Sequence, residues 1–151
     1  MIHENVEVIP YDCQVHDEST VKKLLSHSLY CTAEEKVNTC FQGYSSGNRH
    51  LFISVQDRKI IGVIGFDKLG TILHITVDPE YRCRGIAKQM IEAISQKFSK
   101  LAAETDKDGV EFYKACGFEI ENLGELYPGT ERFKCTKQVS MKISRDHDAD
   151  G

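Results

Sequence analysis

The apolar residues of this chain change their spacing several times, and each spacing predicts one element of secondary structure. Alternation over residues 6–11 predicts a first strand. Helical spacing behind capping residues predicts two helices, one over 17–30 and one over 32–41. Residues 50–55 and 59–66 then predict two strands joined by a short polar turn.

The second half of the chain continues with strands and helices in turn. Residues 71–77 are an extended apolar run, and residues 85–100 carry apolar side chains three and four positions apart, as in a helix. A short strand over 101–105 precedes a short helix, and a last hairpin joins 119–123 to 131–136. The order β-α-α-β-β-β-α-β-α-β-β predicts an α/β (α+β) fold in which helices flank a central mixed sheet.

Length and composition are those of one globular domain. The chain has 151 residues, of which 40% are hydrophobic and 28% charged. We expect a single domain over residues 1–143 and a polar, flexible tail over 144–151. No apolar run has the length of a membrane span and the first residues lack a signal-peptide pattern, so we expect a cytoplasmic protein that binds no membrane.

Charge and cysteine content narrow the functional classes. A formal net charge of −4, with the basic residues scattered outside one cluster, argues against nucleic-acid binding. The six cysteines form no C-x-x-C pair, and no histidine pair has the spacing of zinc ligands. We therefore expect the thiols to be reduced and no metal to be bound. Cys83 stands between two arginines near a helix start, which favours its thiolate, and incidental reactivity is the simpler interpretation.

The basic cluster lies where a helix ordinarily avoids positive charge. Arg82, Arg84 and Lys88 surround the start of the helix predicted from residue 85, whose first N–H groups already carry partial positive charge. A bound anion removes this conflict, and Gly85 lets the anion approach the backbone closely. The stretch matches neither G-x-x-x-x-G-K-[ST] nor G-x-G-x-x-G. It therefore predicts a phosphate-binding loop of another kind.

Two blocks of this sequence resemble the GNAT superfamily of N-acetyltransferases. In the first, strand 71–77 and a bend lead into Arg82-x-x-Gly85-x-Ala87, which is similar to the family's [Q/R]-x-x-G-x-[G/A] pyrophosphate loop. In the second, residues 112–118 (Phe-Tyr-Lys-Ala-Cys-Gly-Phe) are similar to the family's F-Y-x-x-x-G-F block. The blocks together span residues 71–118, and outside them only the order of elements agrees.

The resemblance implies where a co-substrate lies. In GNAT proteins the two parallel strands on either side of the loop helix splay apart, and acetyl-CoA occupies the opening. By that resemblance the edge of strand 71–77 pairs with pantetheine and the loop holds the pyrophosphate. Asp106 stands where many members carry asparagine. The residues expected to bind acetyl-CoA are Ile75, Thr76, Val77, Arg82, Cys83, Arg84, Gly85, Ile86, Ala87, Lys88, Asp106 and Tyr113.

The resemblance also implies direct acetyl transfer to an amine, which needs a general acid and a general base. Tyr113 matches the family's usual acid. His74 is the only histidine on the central strand and shares a face with Thr76, whereas Glu104 ends the next strand, so both stay open as the base. The acceptor is a small-molecule amine or a protein amine that the sequence does not identify. A homodimer is implied as well, because GNAT domains are frequently dimeric.

Two other functional classes stay open from the sequence. One is a CoA-binding module that shares the loop but has no catalytic activity. The other is a cysteine-dependent acyltransferase in which Cys83 or Cys116 carries the acetyl group covalently. The histidine partner of such a cysteine would be brought to it only by the fold.

Overall fold

The computed structural model of the protein describes residues 6–28, 34–45 and 47–139. The predicted helix end near residue 30, the capping residue Thr32, Cys31 and the tail over 144–151 lie outside the described residues. Within them the predicted element order and the α/β fold class are confirmed. The elements are β1 (Val6–Pro10), α1 (Glu18–Ser28), α2 (Glu34–Gln42), β2 (Arg49–Gln56), β3 (Lys59–Asp67), β4 (Ile72–Val77), α3 (Ile86–Ser95), β5 (Lys100–Thr105), α4 (Lys107–Ala115), β6 (Glu119–Tyr127) and β7 (Thr130–Gln138).

The strands form two antiparallel sheets, ordered β1-β2-β3-β4 and β5-β7-β6. The chain accordingly falls into two compact units, with residues 69–71 and those from 94 onward in the second. The expected parallel pairing across the loop helix is limited to one bridge, between Thr71 and Ala102. There Ala102 N–H donates to the carbonyl of Gly70 at 3.0 Å. Gly70 has a φ of +91°, and a side chain at this position would meet the Lys100 carbonyl, so glycine is required.

In the first unit, α1 packs on β3 and β4 and covers one face of the sheet. Alternation along β4 puts His74 and Thr76 on this face, because they pair across the ladder with Gly65 and Val63. Val63 belongs to the hydrophobic core under α1. The buried members of that core are Val21, Leu24, Leu25, Leu51, Ile53, Ile60 and Val63.

The opposite face of β3 lies under α3, where a side chain at Gly62 would meet the Cε atom of Met90 at 3.1 Å. This helix ends at Ser95, so the expected extension to residue 100 is wrong. Lys97 N–H donates to the carbonyl of Ile94 and closes a turn, after which Lys100 begins β5. The apolar residues keep a helical spacing across the turn by chance, because the first apolar residue of β5 stands where the next apolar position of a helix would be.

In the second unit, α4 begins at a side-chain cap and ends at a left-handed glycine. Asp106 is the N-cap, and its carboxylate accepts from the N–H groups of Asp108 and Gly109 at 3.0 and 3.1 Å. Gly117 ends the helix with a φ of +91°. The hairpin of β6 and β7 is longer than the predicted 119–123 and 131–136, and its two strands meet at a tight turn over Pro128 and Gly129. No helix of the described residues is long and apolar enough to cross a membrane.

Candidate active site

The predicted phosphate loop, residues 82–88, begins after a rigid bend at the end of β4. Asp78 N–H donates to the Ile61 carbonyl at 2.8 Å, which fixes the end of β4 to β3. The Asp78 carboxylate accepts from Glu80 N–H at 2.9 Å and so caps the turn over Pro79–Tyr81. Arg82 Nε then donates to the Val77 carbonyl at 3.2 Å. The strand, the bend and the first residue of the loop are therefore held together by local hydrogen bonds.

The backbone of the loop has two left-handed residues, Cys83 with a φ of 65° and Gly85 with a φ of 79°. Left-handed residues in a turn are typical of the backbone concavities that bind anions. Gly85 faces open space, with no atom within 4 Å of where a Cβ would stand, and its carbonyl accepts the first helical bond, from Gln89 N–H at 3.0 Å. A ligand can therefore approach this turn without moving any side chain.

The N–H groups at the start of α3, which carry its partial positive charge, have no acceptor among the described residues. Among the described residues, no group accepts from the N–H groups of Ile86, Ala87 and Lys88, and no acidic residue lies in the first turn. Arg84 is exposed and lies over the Tyr81 ring at 5.2 Å. Free amides and basic side chains at one helix start make an anion the fitting ligand.

The second group of candidate residues surrounds His74, in the middle of β4. The Tyr44 hydroxyl is 2.6 Å from His74 Nδ1, and the Cys40 sulfur is 3.5 Å from His74 Nε2. We call these three residues the histidine cluster. Tyr44 comes from the turn after α2 and Cys40 from α2 itself. Residues some 30 positions earlier in the chain therefore contact both nitrogens of the imidazole.

Gly65 on β3 makes room for the histidine cluster. A Cβ on Gly65 would clash with the Tyr44 hydroxyl, because the phenol lies directly over this glycine on the way to His74. Sequence reasoning missed Tyr44 and Cys40, since nothing in their own segments points to a histidine on another element. The available signal was Gly65 itself, because an isolated glycine inside a strand indicates a close approach by another group.

Burial sets the protonation states of the histidine cluster. It lowers the pKa of His74, and the positive charge of Arg49 lowers it further. Burial raises the pKa of Tyr44, against a weaker opposing effect of Arg49, and it also raises the pKa of the Cys40 thiol. At neutral pH the cluster thus consists of a neutral imidazole, a neutral phenol and a neutral thiol. A neutral imidazole can accept a proton.

The remaining predicted residues belong to the second unit. Tyr113 is buried and packs edge-on between Phe112 and Phe118, with ring centroids 5.1 and 5.2 Å away. Burial raises the pKa of Tyr113, so the phenol stays protonated. Glu104 is exposed on β5, where the register pairs it with Lys134.

The two cysteines named for a covalent mechanism lie in different environments. Cys83 is exposed on the loop and Cys116 is buried at the end of α4. The cysteine that the fold brings to a histidine is Cys40, which the sequence did not single out. In the part of the chain that the structure describes, no three His, Cys, Asp or Glu side chains are grouped so as to hold a metal ion.

Comparison with known proteins assigns the central region to a family. Residues 47–120, which include both sequence blocks, match the acetyltransferase (GNAT) domain family. A spermidine/spermine N-acetyltransferase from Vibrio cholerae has the same fold, with a TM-score of 0.71, 14% identity, and coverage of 96% of this chain and 99% of that chain. A GNAT family acetyltransferase from Elizabethkingia anophelis with acetyl-CoA bound gives a TM-score of 0.66 and 18% identity over 90% of this chain and 99% of that chain. An acetyltransferase from Thermus thermophilus gives a TM-score of 0.68 and 15% identity over 89% of this chain and 97% of that chain.

Proposed function

Because residues 47–120 match the acetyltransferase (GNAT) domain family, we propose that the chain transfers the acetyl group of acetyl-CoA directly to the nitrogen of an amine. The observation that carries this proposal is the loop over residues 82–88. Its free amides, two left-handed residues and three basic side chains fit a pyrophosphate. β4 supports the proposal too, because it is an edge strand of its sheet and has backbone groups available for an extended ligand.

Of the two candidate bases, His74 is favoured by its surroundings. The base must accept a proton as the amine nitrogen forms its bond to the acetyl carbon. When Nδ1–H donates to Tyr44, the lone pair of the ring is on Nε2, where its contact at 3.5 Å is the Cys40 thiol, a weak donor that a proton from the amine can displace. Tyr44 is then a positioning residue, because it fixes the ring and its tautomer. Glu104 stays a candidate for the same role through a water molecule.

The other proton transfer is assigned to Tyr113. The bond from the acetyl carbon to sulfur breaks as the new bond to nitrogen forms, and the sulfur leaves as a thiolate. A phenol that is protonated at neutral pH can give its proton to that sulfur. The proposal rests on the match of Tyr113 to the family block and on its protonated state. The homodimer and the cytoplasmic location stay predictions.

Release of free CoA from acetyl-CoA, measured with a panel of amines and without any amine, tests the proposed function. We expect release that depends on the amine, with the acetyl group recovered on the amine by mass spectrometry. Tight binding of CoA without amine-dependent release would instead support a binding module. An acetylated protein mass in the absence of amine would support the cysteine-dependent mechanism.

A further inference from the structure

A cleft of about 330 Å³ opens beside the histidine cluster in the first unit. Such a volume is within the range of small-molecule sites. Most of its wall is aromatic or apolar, with two rings, Tyr11 and Phe41, packed edge-on at 5.8 Å. The residues that line it are Pro10, Tyr11, Cys13, Phe41, Tyr44, Arg49, His50, Leu51 and Phe52.

Arg49 provides positive charge in the wall of this cleft. Its guanidinium lies against Gly43, where a Cβ would be only 2.9 Å from Nη1, and within the described residues it makes no hydrogen bond or ion pair. Its positive charge acts to lower the pKa of Cys40, Tyr44 and His74. An unpaired guanidinium is a binding group for a carboxylate.

Tyr11 adds a further polar group to the wall of the cleft. Its hydroxyl is buried and has no hydrogen-bond partner among the described residues. The carboxylates of Glu18, Asp17 and Asp12 act on its ionisation. The Tyr11 side of the cleft is therefore unfavourable for an anion, and a bound carboxylate is directed to Arg49.

The Arg49 side of this cleft is unfavourable for a polycation. Lys22 already lies over the Phe41 ring at 5.1 Å, where its ammonium also pairs with Glu18 at 2.7 Å. The ring face that would attract a further cation is thus taken, and Arg49 repels positive charge. Spermidine and spermine, the amines in the name of the Vibrio cholerae enzyme, are polycations and would be repelled on that side.

We propose that the acetyl acceptor is an aromatic α-amino acid, or an amine of the same chemistry, whose carboxylate binds Arg49 and whose ring fills the cleft. Tyr44 joins the two places, because it lines the cleft and its hydroxyl binds His74. The cleft thereby adjoins the residue that positions the proposed base. This inference rests on the proposed function and adds the class of acceptor to it.

Paired acceptors test each part of the inference. Phenylalanine and phenethylamine differ in the carboxylate, phenylalanine and alanine differ in the ring, and spermidine is the polyamine reference. We expect kcat/KM for phenylalanine to exceed that of each of the others by roughly tenfold or more, since a charge-assisted hydrogen bond typically contributes that much. Equal or better use of phenethylamine, alanine or spermidine would overturn the inference.

A substitution at Arg49 tests whether the preference for phenylalanine arises from a carboxylate contact in the cleft. Arg49→Gln is expected to lower kcat/KM for phenylalanine roughly tenfold to a hundredfold relative to phenethylamine, because any effect of the lost charge on His74 is common to both acceptors. The matched control is Arg58→Gln, in the turn between β2 and β3, which should change neither. Equal losses for both acceptors in Arg49→Gln would rule out a carboxylate contact.

Calorimetric binding of acetyl-CoA separates this inference from the proposed function. If acetyl-CoA binds and some amine is acetylated, but aromatic amino acids are not preferred, the acceptor class is wrong and the proposed function stands. If acetyl-CoA does not bind and no amine is acetylated, both are wrong. Thermal unfolding of the parent and both arginine variants confirms that each is folded.

Discussion

The phosphate loop and the histidine cluster both adjoin one strand, β4, and are built in opposite ways. The loop follows the end of the strand, is contiguous in sequence and exposed, and keeps its backbone N–H groups free. The histidine cluster lies in the middle of the strand, is half-buried, and joins residues from three elements through short contacts. The loop thus suits an anion that arrives from solvent, whereas the cluster suits a proton transfer that needs a fixed, partly dehydrated ring.

The difference predicts that the two regions respond to substitution in different ways. Changes in the loop should remove affinity for CoA, because its binding groups are backbone amides and exposed charges. Changes in the cluster should lower turnover and leave CoA affinity intact, because its groups hold one imidazole in place. Each variant below is chosen to separate these two outcomes.

The largest expected effect on turnover comes from His74→Gln. Glutamine can still bond to Tyr44 but cannot accept the proton, so kcat/KM should fall by about 10²–10⁴. CoA affinity should stay at the parent value. His27→Gln, at an exposed position of α1, is the control and should behave like the parent. A loss below tenfold in His74→Gln would remove His74 from the base role and favour Glu104.

Tyr113→Phe tests the proposed acid and keeps the ring that packs against Phe112 and Phe118. We expect kcat to fall by about 10²–10⁴ at saturating acetyl-CoA, with little change in CoA affinity or thermal stability. A near-normal kcat, or a raised dissociation constant for CoA, would show that the phenol serves packing or binding instead.

A smaller effect is expected when the hydrogen bond between Tyr44 and His74 is broken from either side. Tyr44→Phe removes the hydroxyl, and Gly65→Ala displaces it with a methyl group. Each should lower kcat by roughly tenfold, the value of one hydrogen bond, and both should shift the acidic limb of the pH–rate profile in the same direction. Gly62→Ala is the matched control on β3, since its methyl group meets Met90 and the Thr76 carbonyl and not Tyr44. Different pH profiles in the two variants would contradict a positioning role for Tyr44.

The smallest expected effect is on stability. Folding lowers the pKa of His74, so in the pH range between its folded and unfolded values the unfolded chain binds more protons. The stabilisation is complete above the unfolded pKa of about 6.5 and is lost as the pH falls toward the folded value, by at most ~1.4 kcal/mol per pH unit. Urea unfolding of the parent and His74→Gln between about pH 7.5 and pH 5 measures this. The parent should lose more stability than the variant as the pH falls. Parallel losses would contradict a lowered pKa of His74 in the folded protein.

These contrasts explain how far the sequence could predict the structure. Arg82, Arg84 and Lys88 at a helix start conflict with local electrostatics, and such a conflict can be recognised within a single turn of sequence. The order of elements followed from local periodicity in the same way. The end of α3 did not, because apolar spacing continues into β5 and only the turn after Ser95 separates them.

The histidine cluster could not be predicted from local pattern. His74 was a candidate as the only histidine on its strand, but its partners depend on how the turn after α2 lies over β3. That packing requires glycine at position 65, because a side chain there would occupy the space of the Tyr44 phenol. Sequence reasoning named only Cys83 and Cys116 for the alternative cysteine-dependent mechanism, because the contact between Cys40 and His74 exists only in the folded chain.

Calorimetric titration of CoA into the parent, Gly85→Glu and Gly129→Glu tests most directly the claim that the loop binds a CoA phosphate. Both glycines have a φ of 79° and no atom within 4 Å of a built Cβ, so the two substitutions add the same backbone strain and the same charge. Only the first places that charge against the free amides of α3. We predict no detectable binding by Gly85→Glu and parent-like affinity in Gly129→Glu. Undiminished affinity in Gly85→Glu, with the protein folded, would contradict the account.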